Sequence, residues 1–260
     1  MRILVTNDDG IGAPGLKVAE AIAADLAGPD GAVTVVAPAF EQSGVAHMVS
    51  YVRPMRIERL EERRFAVEGS PADCVLAGLY EVMQDAAPDL VISGVNRGHN
   101  VAEDTVYSGT VGGAMEAALH GVRAVALSQY YGPPQDRFDP FDAARGHGAG
   151  ILRRLVEAAN WPNDGYGVFY NVNFPAVPAA EVRGVRATFQ GHRASPTFGV
   201  LRHVAPNGRT FLWLTHGHGN ADSAEGSDAR ECHDGFATVT PLRADLTAHD
   251  LVAPLARALG

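Results

Sequence analysis

Residues Arg2-Ile3-Leu4-Val5-Thr6-Asn7-Asp8-Asp9-Gly10 decide how the rest of the chain is read. The first five make a short buried strand, and it runs straight into two adjacent acids. Neighbouring carboxylates at the end of an apolar strand repel one another. The arrangement is costly unless a cation or strong donors offset it. In an open α/β sheet that strand end is also where ligands bind. Two readings stand side by side here: Asp8 and Asp9 hold a hard divalent metal, or one caps the next helix and the other is solvated.

Outward from this stretch, Leu16, Ala19, Ile22, Ala23 and Leu26 fall on one face of a helix that Gly28-Pro29-Asp30-Gly31 stops. Ala32 to Ala37 is a second buried strand, closed by Pro38. Strand, helix and strand together predict a parallel pair with a right-handed crossover. The loop Phe40–Val45 then shares the sheet edge with Asp8. Met55–Leu60 and Arg64–Glu68 alternate apolar and polar residues, as antiparallel or edge strands do. A helix is expected from Pro71 to about Gln84, a strand over Asp89–Ser93, a helix over Thr110–Leu119 and a strand over Val122–Gln129. The polar run Tyr130–Gly150 reads as a surface loop leading into a helix through about Ala159, and Phe169–Pro175 as one more strand.

Beyond Val182 the runs shorten, at Val185–Phe189, Arg209–Thr215 and Ala237–Thr240, before a terminal helix over Asp250–Leu259. The expected fold is α/β, a mostly parallel, doubly wound, Rossmann-like sheet. It forms one domain over residues 1–260, with a core over 1–180 and a smaller β-rich extension over 181–260.

A net charge of -9 argues against a nucleic-acid partner, which would need a basic surface, yet leaves room for a small phosphorylated substrate beside a metal. Two cysteines, Cys74 and Cys232, are too few for a disulfide framework and fit a reducing cytoplasm. No basic-then-apolar leader precedes Asn7, and no apolar run is long enough to span a membrane. The expectation is a cytoplasmic protein without a membrane partner.

Four stretches fall at carboxyl ends of strands: Asn7–Gly10, Gln42–Gly44, Asn96–Asn100 and Ser108–Thr110. Their carboxylates, hydroxyls and amides suit magnesium, manganese or calcium, not a thiolate zinc site. Ser108-Gly109-Thr110 opens a helix, where free backbone amides form a phosphate cradle; Ser108 or Thr110 as a plain N-cap is the alternative. Gly10-Ile11-Gly12-Ala13-Pro14-Gly15 matches a dinucleotide fingerprint. Two acids directly before it, the missing donor at Pro14 and the lack of an acid after the second strand all argue against that use. Cys74 reads as core. His216 and His218 read as an exposed loop, and His47, His99 and His249 as acid or base candidates with plainer roles in loops or at a helix start. Neither G-x-S-x-G nor a P-loop motif occurs.

Taken together, Asn7-Asp8-Asp9-Gly10, Ser43-Gly44, Ser93-Gly94-Val95-Asn96-Arg97-Gly98-His99-Asn100 and Tyr107-Ser108-Gly109-Thr110-Val111-Gly112 resemble the SurE family of survival-protein nucleotidases. Gly69–Cys74 and Thr240–His249 are similar to its other recurrent stretches, so the likeness spans nearly the whole chain. The resemblance implies a metal-dependent phosphatase acting on nucleoside 5′- and 3′-monophosphates, a 5′-nucleotidase. It implies one divalent metal per subunit, magnesium or manganese, on Asp8, Asp9, Ser43 and Asn96, with Asp8 and Asp9 catalytic. Asn96, Asn100, Ser108, Gly109 and Thr110 would face phosphate or substrate. It also implies homodimers or homotetramers that exchange the C-terminal segment. The sequence departs from the family at Ala39-Phe40, where many members have Asp-Arg. Gly12 replaces a frequent histidine, and His47 replaces a residue that is often small. Two rival readings are an NAD(P)-dependent oxidoreductase built on Gly10–Gly15 and a nucleotide-binding protein without turnover.

Overall fold

Strand β1 (Arg2–Thr6) sits inside a nine-stranded sheet because Ile3, Leu4 and Val5 are fully buried and need cover on both faces. The computed structural model describes residues 1–132, 139–194, 198–216 and 222–260. Helix α1 (Pro14–Ala27) carries the chain to β2 (Ala32–Pro38), parallel to β1 with Arg2 opposite Ala32. Strands β3 (Ile57–Glu61) and β4 (Arg64–Val67) extend that side, β4 parallel to β2 and β3 the antiparallel edge. The two alternating stretches are strands as expected, and β3 is the one at the edge.

Helix α2 (Pro71–Ala77) then leads to β5 (Leu90–Arg97), which pairs in parallel with the other side of β1. After α3 (Asp104–Tyr107) and α4 (Gly109–Leu119) come β6 (Ala124–Gln129), α5 (Asp142–Ala158) and β7 (Phe169–Phe174), with β6 and β7 continuing the parallel order. Helices α1 and α5 bury Leu16, Ile22, Ile151 and Leu152 against one face; α2 and α4 bury Cys74, Val75, Val111 and Ala117 against the other. The winding direction reverses between β1 and β5, and ligands bind outside the carboxyl ends of strands at such a reversal.

Several boundaries differ from the sequence reading. The second helix leaves α geometry at Ala77 and continues as a π-helical turn over Gly78–Val82. Helix α5 starts at Asp142, inside the stretch read as loop, because Gln129 Oε1 accepts from the Ala144 N–H and holds the first turn against the sheet. The middle of that loop, residues 133–138, lies outside the described residues, as does His218. Two of the short strands beyond Val182 are not apart from the sheet. Strand β8 (Val185–Ala187) is its outer edge, and β11 (Ala237–Leu242) lies between β8 and β7, antiparallel to β7. Among the described residues only β9 (Phe198–Val204) and β10 (Thr210–His216) form a separate antiparallel pair. A short helix, α6 (Asp228–His233), precedes β11, and α7 (His249–Leu259) ends the chain without a buried residue. Among the described residues no helix is long and apolar enough to cross a membrane.

Candidate active site

Asp8 leaves the end of β1 into the protein interior and is 3% exposed. Both of its oxygens are held by one residue: Thr110 Oγ1 donates to Oδ1 at 2.6 Å and the Thr110 N–H donates to Oδ2 at 3.1 Å. Helix α4 can come this close because residue 109 is glycine; a Cβ there would lie 3.0 Å from Asp8 Cβ and 3.2 Å from Asp8 Oδ2. Burial pushes the Asp8 carboxyl up to about 6 and the charge of Asp9 adds to the rise, with the Thr110 bonds opposing both. Asp9 is also pushed up, first by burial and then by Glu41. The Arg97 N–H, which donates to Asp9 Oδ2 at 3.0 Å, and the Arg97 charge act against this.

The loop after β2 is drawn to the same edge by the Gln42 N–H, which donates to the Asp8 carbonyl at 2.7 Å. It brings Ser43 and Gly44 onto a cavity of about 310 Å³ that Asp8, Asn96, Asn100 and Ser108 also line. Asn96 donates through Nδ2 to the Gly98 carbonyl at 2.9 Å, which leaves Oδ1 as its acceptor. Asn100 is held from three sides: its N–H donates to Asn173 Oδ1, its Nδ2 donates to Ser128 Oγ, and its carbonyl accepts from Asn171 and Asn173. Five of the eight expected residues thus line one cavity, and Gly109 and Thr110 stand directly behind it against Asp8. Asp9 instead lines a neighbouring cleft of about 430 Å³, with Glu41, Arg97 and Tyr131.

The helix tip differs from the open amide cradle read from sequence. Ser108 is the N-cap, accepting through Oγ from the Val111 N–H at 3.1 Å, and the Thr110 amide is committed to Asp8. Gly112 and Gly113 serve close packing of the helix. A Cβ on Gly112 would lie 2.5 Å from the Ala46 carbonyl, and one on Gly113 2.9 Å from Ser93 Oγ. At the rival glycine loop, a Cβ on Gly15 would meet the Val95 carbonyl at 2.0 Å, so this glycine serves helix-to-strand packing, while Gly12 faces open space. The pattern arises from packing of α1 on β5.

The donor set fits a hard divalent cation. Asp8, Ser43 and Asn96 offer a carboxylate, a hydroxyl and an amide oxygen on one cavity, and burial disfavours the charge of Asp8 and Asp9, a cost that a cation would offset. Among the described residues no group of three His, Cys, Asp or Glu is arranged to hold a metal, so a thiolate or imidazole zinc site has no counterpart here.

Sequence reasoning passed over the aromatic walls. His99 stacks on Tyr130 with ring centres 4.3 Å apart, and Tyr107 meets Phe198 edge to face at 5.0 Å; all four line the cavity. Tyr107 stands directly before the Ser108 cap and was open to notice. Phe198 and Tyr130 reach the site only through tertiary structure.

A sequence model of the family described as Survival protein SurE matches residues 3–197. A protein of Cereibacter sphaeroides (strain KD131 / KCTC 12085) described as 5′-nucleotidase SurE is 59% identical over 261 residues, covering 100% of both chains. One of Ruegeria pomeroyi with the same description is 58% identical, covering 98% of each chain. Among solved structures, the crystal structure of SurE protein from Aquifex aeolicus superposes with a TM-score of 0.83 at 31% identity, covering 100% of both chains. With the acidic strand end, the serine loop and the capped helix tip all at one sheet reversal, the chain belongs to the SurE family.

Proposed function

We propose that this chain is a 5′-nucleotidase: a metal-dependent phosphomonoesterase that hydrolyses nucleoside 5′-monophosphates, and 3′-monophosphates as well, to nucleoside and phosphate. The observation that carries the reading is the meeting of Asp8, Ser43, Asn96 and Ser108 on one cavity at the sheet reversal. The names of the full-length relatives support the same substrate class. One divalent cation per subunit, magnesium or manganese, would be held by Asp8, Asp9, Ser43 and Asn96. When bound it would offset charge developing on a phosphate oxygen and lower the pKa of a water.

The chain supplies the rest. Thr110 fixes the Asp8 carboxylate in one rotamer, so no reorganisation is needed as the reaction proceeds. Gly109 N–H stands at the first position of α4, where no carbonyl of the helix can reach it, and offers a donor to a phosphate oxygen. Asn100, held by Ser128 and its asparagine neighbours, lines the cavity wall. Tyr107, Phe198, His99 and Tyr130 all line the cavity and would give a nucleobase flat partners to stack on. If a carboxylate acts as nucleophile or base, Asp8 is the one on the substrate cavity.

Cys74 and Cys232 are both buried free thiols, in keeping with a cytoplasmic location. Exposed Leu212, Trp213 and Leu214 on β10 and Leu251, Val252 and Leu255 on α7 are in keeping with a homodimer or homotetramer.

The test is phosphate release from nucleoside monophosphates, with chelator and with added Mn²⁺ or Mg²⁺. Release that chelator stops and metal restores is expected. Release that persists unchanged in chelator removes the metal role, and nucleotide binding without release turns the reading to a binding protein.

A further inference from the structure

Behind the cavity, the only charged residue of α4 is a glutamate in a run of glycine, alanine and apolar residues. Glu116 is 6% exposed, and its carboxylate touches two imidazoles. His47 Nε2 lies 2.5 Å from Oε2 and His120 Nε2 lies 2.9 Å from Oε1. Burial pushes the Glu116 carboxyl up, but the hydrogen bonds and charges of His47 and His120 together outweigh it and hold the group below its ordinary value. The two histidines are not equivalent. Tyr80 Oη lies 2.6 Å from His120 Nδ1, so the His120 ring is held between Tyr80 and Glu116. His120 also sits on the same helical stretch as Glu116, four residues on, and fixes nothing distant. His47 comes from the loop after β2, 69 residues away in sequence.

That loop is the one that carries Ser43. Its upstream end is tied by Gln42 to Asp8, and its downstream end is clamped within a few residues. The Ala46 N–H donates to the Tyr107 carbonyl at 2.9 Å, with Ala46 held at a φ of 52°. The loop backbone lies directly on Gly112 of α4, where a Cβ would come within 2.5 Å of the Ala46 carbonyl and 3.1 Å of His47 Cα. Past His47, Ser70 Oγ donates to the Met48 carbonyl and the Ser50 N–H donates to Asp73. His47 is thus the side chain of the clamp nearest to Ser43, and its partner sits on the helix whose first turn grips Asp8.

We infer that His47 is a positioning residue: through Glu116 it pins the loop bearing Ser43 to the helix that holds Asp8, and so keeps two ligand-bearing segments at a fixed separation. The inference rests on the metal-phosphatase reading for its consequence, though the pinning itself is a property of the chain. An outer contact that orients a ligand is worth about 10- to 100-fold in metal affinity. The group acts on ligand geometry, not on the reacting atoms, so metal binding is affected more than turnover at saturating metal.

The test compares His47→Ala, His47→Gln and the double variant His47→Ala/Glu116→Gln, which leaves no bare carboxylate in the core. Mn²⁺ binding is measured by electron paramagnetic resonance without substrate, and backbone exchange at Ser43–Ala46 by hydrogen–deuterium exchange on metal-free protein. His47→Ala and the double variant are expected to bind Mn²⁺ about tenfold more weakly and to exchange faster at Ser43–Ala46, with kcat at saturating metal within about twofold of the parent. His47→Gln, which still donates a hydrogen bond to Glu116, is expected to recover most of the affinity. Mn²⁺ affinity and exchange equal to the parent in the folded double variant overturn the inference, as does a loss of kcat with metal affinity unchanged. A parent chain that binds no Mn²⁺ instead removes the phosphatase reading, and exchange at Ser43 then decides the pinning alone.

Discussion

Asp8 is a carboxylate in a place that disfavours its charge. Its carboxyl is pushed up to about 6 by burial and by Asp9, against an ordinary value of 3.8. Between those two pH values the folded chain keeps a proton that the unfolded chain has released. Without metal, the stability contributed at Asp8 therefore falls as pH rises from about 4 to about 6, by of order 3 kcal/mol. A bound cation would reverse that loss, because it competes with the proton for the same oxygens. The gap in melting temperature between metal-loaded and metal-free protein is expected to widen from pH 5 to pH 7, as thermal denaturation in Mn²⁺ and in chelator would record; a gap independent of pH counts against Asp8 as a ligand. Asp8→Asn keeps the shape and an oxygen for the Thr110 amide while removing the charge. It is expected to abolish phosphate release yet melt, metal-free at pH 7, no lower than the parent. The acids themselves were legible in sequence, because adjacent carboxylates after an apolar strand are a local signal. The role of Thr110 was not, since its donors reach Asp8 across 102 residues of chain and had been read as open to phosphate.

Elements meet at this site through polar side chains that staple segments far apart in sequence. Asp228, fully buried at the start of α6, accepts from the Gly191 N–H at 2.7 Å, the Ala229 N–H at 2.8 Å and the Ala102 N–H at 3.2 Å. It thereby joins α6, the segment after β8 and the loop that follows Asn100. Burial pushes its carboxyl up to about 6 in spite of those donors. Arg193, 3% exposed, adds a second staple by pairing with Asp104 at 2.6 Å, and Asp104 lines the cavity. Asp228→Ala would leave three backbone N–H groups without an acceptor in the interior, each worth about 1–3 kcal/mol. The variant is expected to lose at least about 3 kcal/mol in urea denaturation, whereas Asp228→Asn, which keeps one oxygen in place, loses less; equal stability of the alanine variant would show that the three donors find other partners. None of this was visible in the residues alone. Helix α6 is six residues long, too short for a periodic signal, and its cap value appears only once β8 and β11 have joined the main sheet. The parallel β–α–β units were legible because their apolar runs are buried on both faces, whereas β9 went unread because every residue in it is exposed and no alternation marks an inner side.

That exposed strand belongs to a ribbon with no sheet beneath it among the described residues. Strands β9 and β10 stand outside the nine-stranded sheet, and Val200, Leu201, Leu212, Trp213 and Leu214 are each more than half exposed. Helix α7 adds Leu251, Val252, Leu255 and Leu259, with no buried residue of its own. A two-stranded ribbon is marginal in water by itself, and a helix of 11 residues without a packed face does not hold its shape. Among the described residues nothing covers these apolar side chains, and a second copy of the chain would cover them in a closed assembly. The ribbon also contributes Phe198 to the cavity wall, so the covering of the ribbon bears on the site. Light scattering after size exclusion is expected to give a mass at least twice the 27.4 kDa of one chain. Trp213→Glu places a charge in the middle of the apolar ribbon and is expected to yield a single-chain species whose KM for nucleoside monophosphates rises more than its kcat falls, because the Phe198 wall loosens while Asp8 and Thr110 stay in the sheet core. A parent that runs as one chain would mean that the ribbon is stable uncovered, and a Trp213→Glu monomer with unchanged KM would separate the ribbon from substrate binding.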